Sequence, residues 1–153
     1  MSRFVAFGVA ASLLGSVGAF PPPPKDTKAE VKRWESPKLD AKEWKKRDNG
    51  LEVWDLVEGK GNEVKAGETI TIRYTGWLTD GKVFDTTEKD AKGPASFPLR
   101  ILIKGWQEGM PGMKPGGVRR LKIPADLAYG AAGMTGIPPN ATIVFEIELI
   151  ESK

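Results

Sequence analysis

Neither cysteine nor histidine occurs anywhere in the 153 residues. The first absence excludes disulfides and a thiol nucleophile. The second excludes a Ser-His-Asp triad, and together they exclude every metal site ligated by thiolate or imidazole. Chemistry in this chain falls to carboxylates, hydroxyls, aromatic rings or the backbone. The missing cysteine assigns no redox compartment, because a cysteine-free protein suits any of them. No Gly-x-x-x-x-Gly-Lys-Ser/Thr run is present, so there is no P-loop, and Gly59-Lys60-Gly61 reads as a turn. No Asp-rich calcium loop appears and the acidic residues are scattered. We therefore expect no metal and no cofactor.

What is present is an ordinary globular mixture, 40% hydrophobic and 28% charged, in a length that suits one domain and some extra chain. The 18 glycines and 12 prolines point to many turns and short elements. The net charge of +3 has a location. Residues 20–49 carry nine Lys/Arg against six Asp/Glu, whereas residues 50–153 carry thirteen against fourteen. A nucleic-acid reader is expected to place its basic excess on the folded domain, so no nucleic-acid partner is expected.

Residues 1–19 read as a targeting segment. Arg3 precedes an apolar stretch from Phe4 to Val17, and Val17-Gly18-Ala19 supplies small or modest residues at a cleavage point. The run is short for a membrane span, so the mature form is expected to have none. Cleavage there places the chain in the secretory pathway or another extracytosolic compartment. Phe20, next in line, is similar to the start of bipartite plastid signals, which leaves a plastid stroma or thylakoid lumen as an alternative. Residues 20–49 read as a Pro- and Lys-rich linker arm. Pro21 to Pro24 form a stiff spacer. Ser36-Pro37 reads as a helix start and Gly50 as its end. Trp34, Leu39 and Trp44 lie in that stretch. The arm is either a docking element for a partner or a linker helix whose tryptophans rest on the domain.

Near Gly50 the apolar period switches to two, and residues 50–153 read as the domain. Ile70, Ile72, Tyr74 and Gly76 alternate with Thr69, Thr71, Arg73 and Thr75. Asp80-Gly81 marks a hairpin, and Lys82-Val83-Phe84 returns from it. Val118 to Ile123 is a strand stopped by Pro124. Ile143, Phe145, Ile147 and Leu149 alternate with Glu146 and Glu148, which are expected to face out. Leu51 to Val57 is a weaker strand, and Ile103 to Met110 makes a short helix before Pro111. The pattern predicts an α+β fold: an antiparallel sheet of about five strands with one short helix over one face. A monomer is the default expectation. Asn140-Ala141-Thr142 fits a glycosylation sequon and equally a turn.

Aromatic residues recur in turn-rich settings: Tyr74-Thr75-Gly76, Phe84-Asp85-Thr86-Thr87, Gly105-Trp106, Ala128-Tyr129-Gly130, and Gly136-Ile137-Pro138-Pro139 leading into Phe145. Taken singly, each of these rings is a core residue as readily as a pocket wall. Five such motifs in this order resemble the FKBP family of macrolide-binding peptidyl-prolyl cis-trans isomerases, over about residues 50–153. The resemblance implies a five-stranded antiparallel half-barrel wrapped around one short helix, with an apolar site between them. It implies Trp106 as the floor and Tyr74, Phe84, Phe97 and Phe145 as walls. Leu102 and Ile103 would precede the helix, with Ile103 near the bound backbone. Ile137 would join the substrate-binding residues, Tyr129 would offer its hydroxyl to a substrate carbonyl, and Asp85 would be the polar group alongside. Proline-containing polypeptides are the implied substrates and a macrolide the implied inhibitor. Ala95 stands where relatives usually carry an aromatic, which lowers one wall. The alternative function is a non-catalytic module of the same fold, acting through the basic arm.

Overall fold

The computed structural model describes residues 33–88 and 93–153. The expected leader at 1–19 and the prolines at 21–24 lie outside the described residues. In chain order the strands are β1 (Lys45–Lys46), β2 (Glu52–Val57), β3 (Thr69–Leu78), β4 (Val83–Thr86), β5 (Ala95–Pro98), β6 (Val118–Ile123) and β7 (Ile143–Ser152). One α-helix, α1 (Lys104–Gly109), lies between β5 and β6, and short 3-10 turns occupy Leu99–Ile101 and Ala125–Leu127. Among the described residues no helix is long and apolar enough to cross a membrane.

The sheet is antiparallel throughout, in the order β1-β2-β6-β7-β3-β4, with β5 also paired to β3. The count of seven strands rather than about five has two causes. β1 is a two-residue addition to the β2 edge. The opposite edge of β3 is shared, since β5 covers Thr69–Ile72 and β4 covers Thr75–Trp77. Four strands and this divided edge make the five positions expected.

The period-two pattern does what it predicts on the helix side. Ile70, Ile72 and Tyr74 of β3, Leu121 and Ile123 of β6, and Ile143, Phe145, Ile147 and Leu149 of β7 form one buried cluster with Trp106 and Met110. The alternation in β7 ends after Leu149 because Ile150 is an extra residue, with Glu151 opposite Thr71 and Leu149 opposite Ile72. Helix α1 approaches β6 closely because two of its residues have no side chain. A Cβ on Gly105 would overlap the Ile123 side chain, and one on Gly109 would lie 2.7 Å from Leu121 Cδ2. Glycine inside a helix costs about 1 kcal/mol relative to alanine, so the close contact is bought with helix propensity.

The other face departs from expectation twice. Residues 36–49 form turns and β1, not a helix. Trp44 instead settles on the sheet, and its contacts there take the place of the helical hydrogen bonds that would otherwise order the segment. Trp44 meets Trp54 edge-on at 5.5 Å, and Lys122 Nζ lies 5.1 Å from the Trp44 ring centroid. The Trp44 indole donates to the Lys38 carbonyl at 2.9 Å, and Lys122 donates to the Leu39 carbonyl at 2.9 Å.

The second departure concerns Glu146 and Glu148. They do point away from the helix, but they are buried, at 0% and 3% exposure. Glu146 stands directly across from Arg120 in the β6–β7 register, and Arg120 Nη2 lies 2.8 Å from its Oε2. Arg33 of the arm adds Nε at 2.6 Å to Glu146 Oε1 and Nη2 at 3.2 Å to Glu148 Oε2. The Trp34 amide donates to the same Glu146 oxygen at 3.3 Å. Trp34 makes this contact at φ +63, a conformation that bulky residues seldom adopt. Buried charges of this kind require partners, and sequence alternation reports only which face a residue takes, not what covers that face.

Candidate active site

Four aromatic rings meet on the helix side of the sheet. Tyr74 arrives there by the alternation of β3, Phe145 by that of β7, Phe84 from β4 and Trp106 from α1. Trp106 contacts Phe145 at 5.0 Å and Tyr74 at 5.5 Å between ring centroids, both edge-to-face. Phe84 contacts Phe145 at 5.4 Å and Tyr74 contacts Phe145 at 6.2 Å. Edge-to-face packing aligns a ring's positive rim with its neighbour's negative face and adds to simple burial. Gly76 makes the convergence possible, since a Cβ there would lie 2.7 Å from both Phe145 Cε1 and Phe84 Cζ.

Trp106 and Phe145 are fully buried. Phe84, Ile103 and Tyr129 are partly exposed and form the solvent-facing part of the same cluster. Phe97, Leu102 and Ile137 belong to the same hydrophobic core and are buried, at 8%, 4% and 4%. Leu102 is held through its carbonyl, which accepts from the Gln107 side chain at 2.6 Å. Ile137 is held by a two-way backbone bridge to Met134, at 2.8 and 2.9 Å. Ile103 is the residue from which α1 departs, and its carbonyl accepts from the amides of Trp106 and Gln107.

Two polar groups enter this apolar setting. Asp85 is buried and accepts the Tyr74 hydroxyl at Oδ2, 2.7 Å away. The Tyr129 hydroxyl is itself buried and has no hydrogen-bond partner among the described residues. Burial, and then the nearby negative charge of Asp85, push the Tyr129 pKa well above the usual tyrosine range. The group therefore stays a neutral donor. A buried donor without an acceptor costs free energy, and it is satisfied when an acceptor such as a peptide carbonyl reaches it. Among the described residues no group of three or more acidic side chains is placed to hold a metal ion.

Nine of the ten residues singled out from the sequence lie in the domain's hydrophobic core or pack against it, and the tenth, Asp85, accepts the Tyr74 hydroxyl there. Sequence reasoning gave no role to Gly76, Gly105 or Gly109, which set how closely the rings and layers approach. The available signal was glycine inside otherwise regular elements, which marks a close approach of neighbouring atoms.

Comparison with known proteins bears on this arrangement. The family model described as FKBP-type peptidyl-prolyl cis-trans isomerase matches residues 60–150. An FK506-binding protein of Neisseria meningitidis serogroup B is 49% identical over 105 residues, covering 67% of this chain and 95% of that protein. The isomerase FkpA of Escherichia coli K12 is 43% identical over 129 residues, 84% of this chain, which spans about half of FkpA at 47%. The crystal structure of E. coli FkpA superposes with a TM-score of 0.70, at 43% identity, over 74% of this chain and 53% of that one. That of a peptidyl-prolyl cis-trans isomerase from Pseudomonas syringae pv. tomato gives 0.67, at 36% identity, over 74% and 84% respectively. With more than half its length matched by the family model, and with a relative of near-equal domain length at close to half identity, the chain belongs to the FKBP-type peptidyl-prolyl cis-trans isomerases.

Proposed function

We propose that the aromatic cluster around Trp106 is the active site, and that it accelerates rotation about Xaa-Pro bonds by binding the twisted amide better than the planar one. The observation that carries the reading is the buried, unpartnered Tyr129 hydroxyl at the rim of that cluster. Rotation about a peptide bond meets a barrier of about 18–20 kcal/mol because it breaks amide resonance. An uncatalysed Xaa-Pro bond takes tens to hundreds of seconds.

The twisted amide has lost conjugation, so its nitrogen is pyramidal and its dipole smaller. Apolar rings disfavour the polar planar form relative to the twisted form, which is differential binding of the transition state. Phe84, Ile103 and Tyr129 would receive the proline from solvent. Trp106, Phe145, Tyr74 and Phe97 would support it from beneath, and Leu102 and Ile137 would complete the apolar surround. Tyr129 would donate to a substrate carbonyl, and Asp85 would fix Tyr74. No nucleophile, metal or cofactor takes part, in keeping with a chain that has no histidine or cysteine. The same surface would admit a macrolide, with a lowered wall at Ala95. The leader-like residues 1–19 support clients that fold outside the cytosol.

The test is cis–trans exchange of a Leu-Pro peptide, followed by NMR with the full chain, with Tyr129→Phe and Trp106→Ala alongside. Acceleration that falls in both variants is expected. A well-folded protein that leaves the exchange rate unchanged would refute the reading. It would then favour a binding module, although Trp44 of the arm is engaged on the chain's own sheet.

A further inference from the structure

We infer that Thr87 is a positioning residue for the active site, acting through the backbone of Tyr74; the inference rests on the reading of the Trp106 cluster given above. The reason lies in the divided edge of β3. Pairing with β4 ends at Thr86 opposite Thr75, and pairing with β5 begins at Ala95 opposite Ile72. Tyr74 lies in the gap, with its amide and carbonyl turned toward an edge where neither strand serves them.

Thr87 serves both of these groups. Its backbone N–H donates to the Tyr74 carbonyl at 2.9 Å. Its hydroxyl oxygen accepts the Tyr74 N–H, also at 2.9 Å. The single hydroxyl proton has the Tyr74 carbonyl at 3.3 Å and Glu88 Oε1 at 3.4 Å as acceptors. Thr87 is buried, at 5% exposure. The Tyr74 carbonyl has a second donor in the Thr86 hydroxyl at 3.2 Å, and the Tyr74 amide is served by Thr87 Oγ1. Removing that oxygen takes away a 2.9 Å bond to a buried backbone N–H, a kind of group that folded chains keep paired.

The same short stretch grips Tyr74 at both ends. Asp85 takes its hydroxyl and Thr87, two residues on, takes its amide. The ring held between them packs edge-on against Trp106 at 5.5 Å. A side-chain hydroxyl thus substitutes for a missing ladder bond at the residue that links the polar and aromatic halves of the site. Small misplacement of positioning groups lowers rate steeply.

The test compares Thr87→Val, which keeps the shape and loses the acceptor, with Thr87→Ser, which keeps the acceptor. Thr75→Val is the control, because it removes a neighbouring 2.7 Å hydroxyl contact to Thr86 on the opposite face without touching the Tyr74 amide. Using the full chain and a Leu-Pro peptide concentration series, Thr87→Val is expected to lower kcat by about tenfold or more with KM within about twofold. Thr87→Ser should recover kcat, and Thr75→Val should stay within about twofold of the parent. Amide hydrogen exchange at Tyr74 should quicken in Thr87→Val alone. If Thr87→Val is unfolded at the assay temperature, Thr87→Ala below its own melting point carries the same expectation. A folded, fully active Thr87→Val (or Thr87→Ala) overturns the inference. So does a Thr87→Ser as impaired as the valine variant, or a Thr75→Val that loses as much. A parent chain with no activity would remove both this inference and the function on which it rests. An active parent with an active Thr87→Val would remove this inference alone.

Discussion

The Tyr74 hydroxyl donates to Asp85 Oδ2 at 2.7 Å, tying the middle of β3 to the neighbouring strand inside the apolar layer. A bond from a neutral donor to a buried carboxylate is worth more than a neutral pair, on the order of 1.5–3 kcal/mol. Tyr74→Phe keeps the ring contacts with Trp106 and Phe145 and removes only that donor. We expect it to lower stability by about 1–3 kcal/mol in urea unfolding, with an unchanged slope. Equal midpoints for parent and variant would mean that the bond contributes nothing.

Gly76→Ala should be harder on the protein than its single added methyl suggests. The new Cβ would meet Phe84 and Phe145 at 2.7 Å, so two rings of the site must move apart. Overpacking of this kind costs about 1–3 kcal/mol. Melting temperature and kcat/KM are expected to fall together. A variant with parental values in both would show that the rings yield freely.

The raised pKa of Tyr129 sets a pH dependence with a definite sign. The folded protein holds this proton more tightly than the unfolded chain, whose tyrosine titrates near the ordinary value of 10.0. Below that pH both states are protonated and the group is silent. Above it the unfolded chain releases the proton first, so the contribution of Tyr129 to stability is lost as pH rises. The stability difference between the parent and Tyr129→Phe should be constant from pH 6 to pH 9, two settings chosen about one unit or more below that value. It should shift against the parent above it. A difference already drifting at neutral pH would contradict the assignment.

The buried carboxylates beneath the arm make a graded prediction. Glu146 keeps Arg120 when Arg33 is removed, but loses its directly opposed partner when Arg120 is removed. Arg120→Met is therefore expected to destabilise by about 3–5 kcal/mol, the range for breaking a buried pair on one side. Arg33→Met should cost clearly less. Urea unfolding of both variants checks the ranking, and the reverse order would mean that the arm, not β6, holds Glu146.

The strands and the helix were legible because burial there follows a single period. Val118 to Ile123 is bounded by its own apolar pattern and by Pro124, and the helix expected over Ile103 to Met110 is closed by Pro111. The meeting of Tyr74, Phe84, Trp106 and Phe145 is legible because these rings stand in turn-rich motifs whose order resembles a known family. β5 escaped because Ala-Ser-Phe-Pro is too short to display a period, and its pairing with β3 is a long-range contact. The structure of residues 33–49 escaped for a different reason. Ser36-Pro37 is a sound local helix start, but tertiary contacts of Trp44 with Trp54 and Lys122 outweigh local propensity. Thr87 stood in view within Phe84-Asp85-Thr86-Thr87, yet its task depends on where two other strands stop.

The glycines of α1 carry a consequence for how the site is tuned. Gly105 and Gly109 let the helix rest almost directly on Ile123 and Leu121. Trp106, next to Gly105 in the chain, rides on whatever height that contact allows. The vertical position of the indole is thus governed by the spacing of two layers behind it, at residues that present nothing to a substrate. Substitutions at Leu121 or Ile123 that change side-chain thickness would raise or lower Trp106 as a unit. Evolution or design can in this way regrade the depth of the aromatic cluster while every residue on its solvent side stays the same.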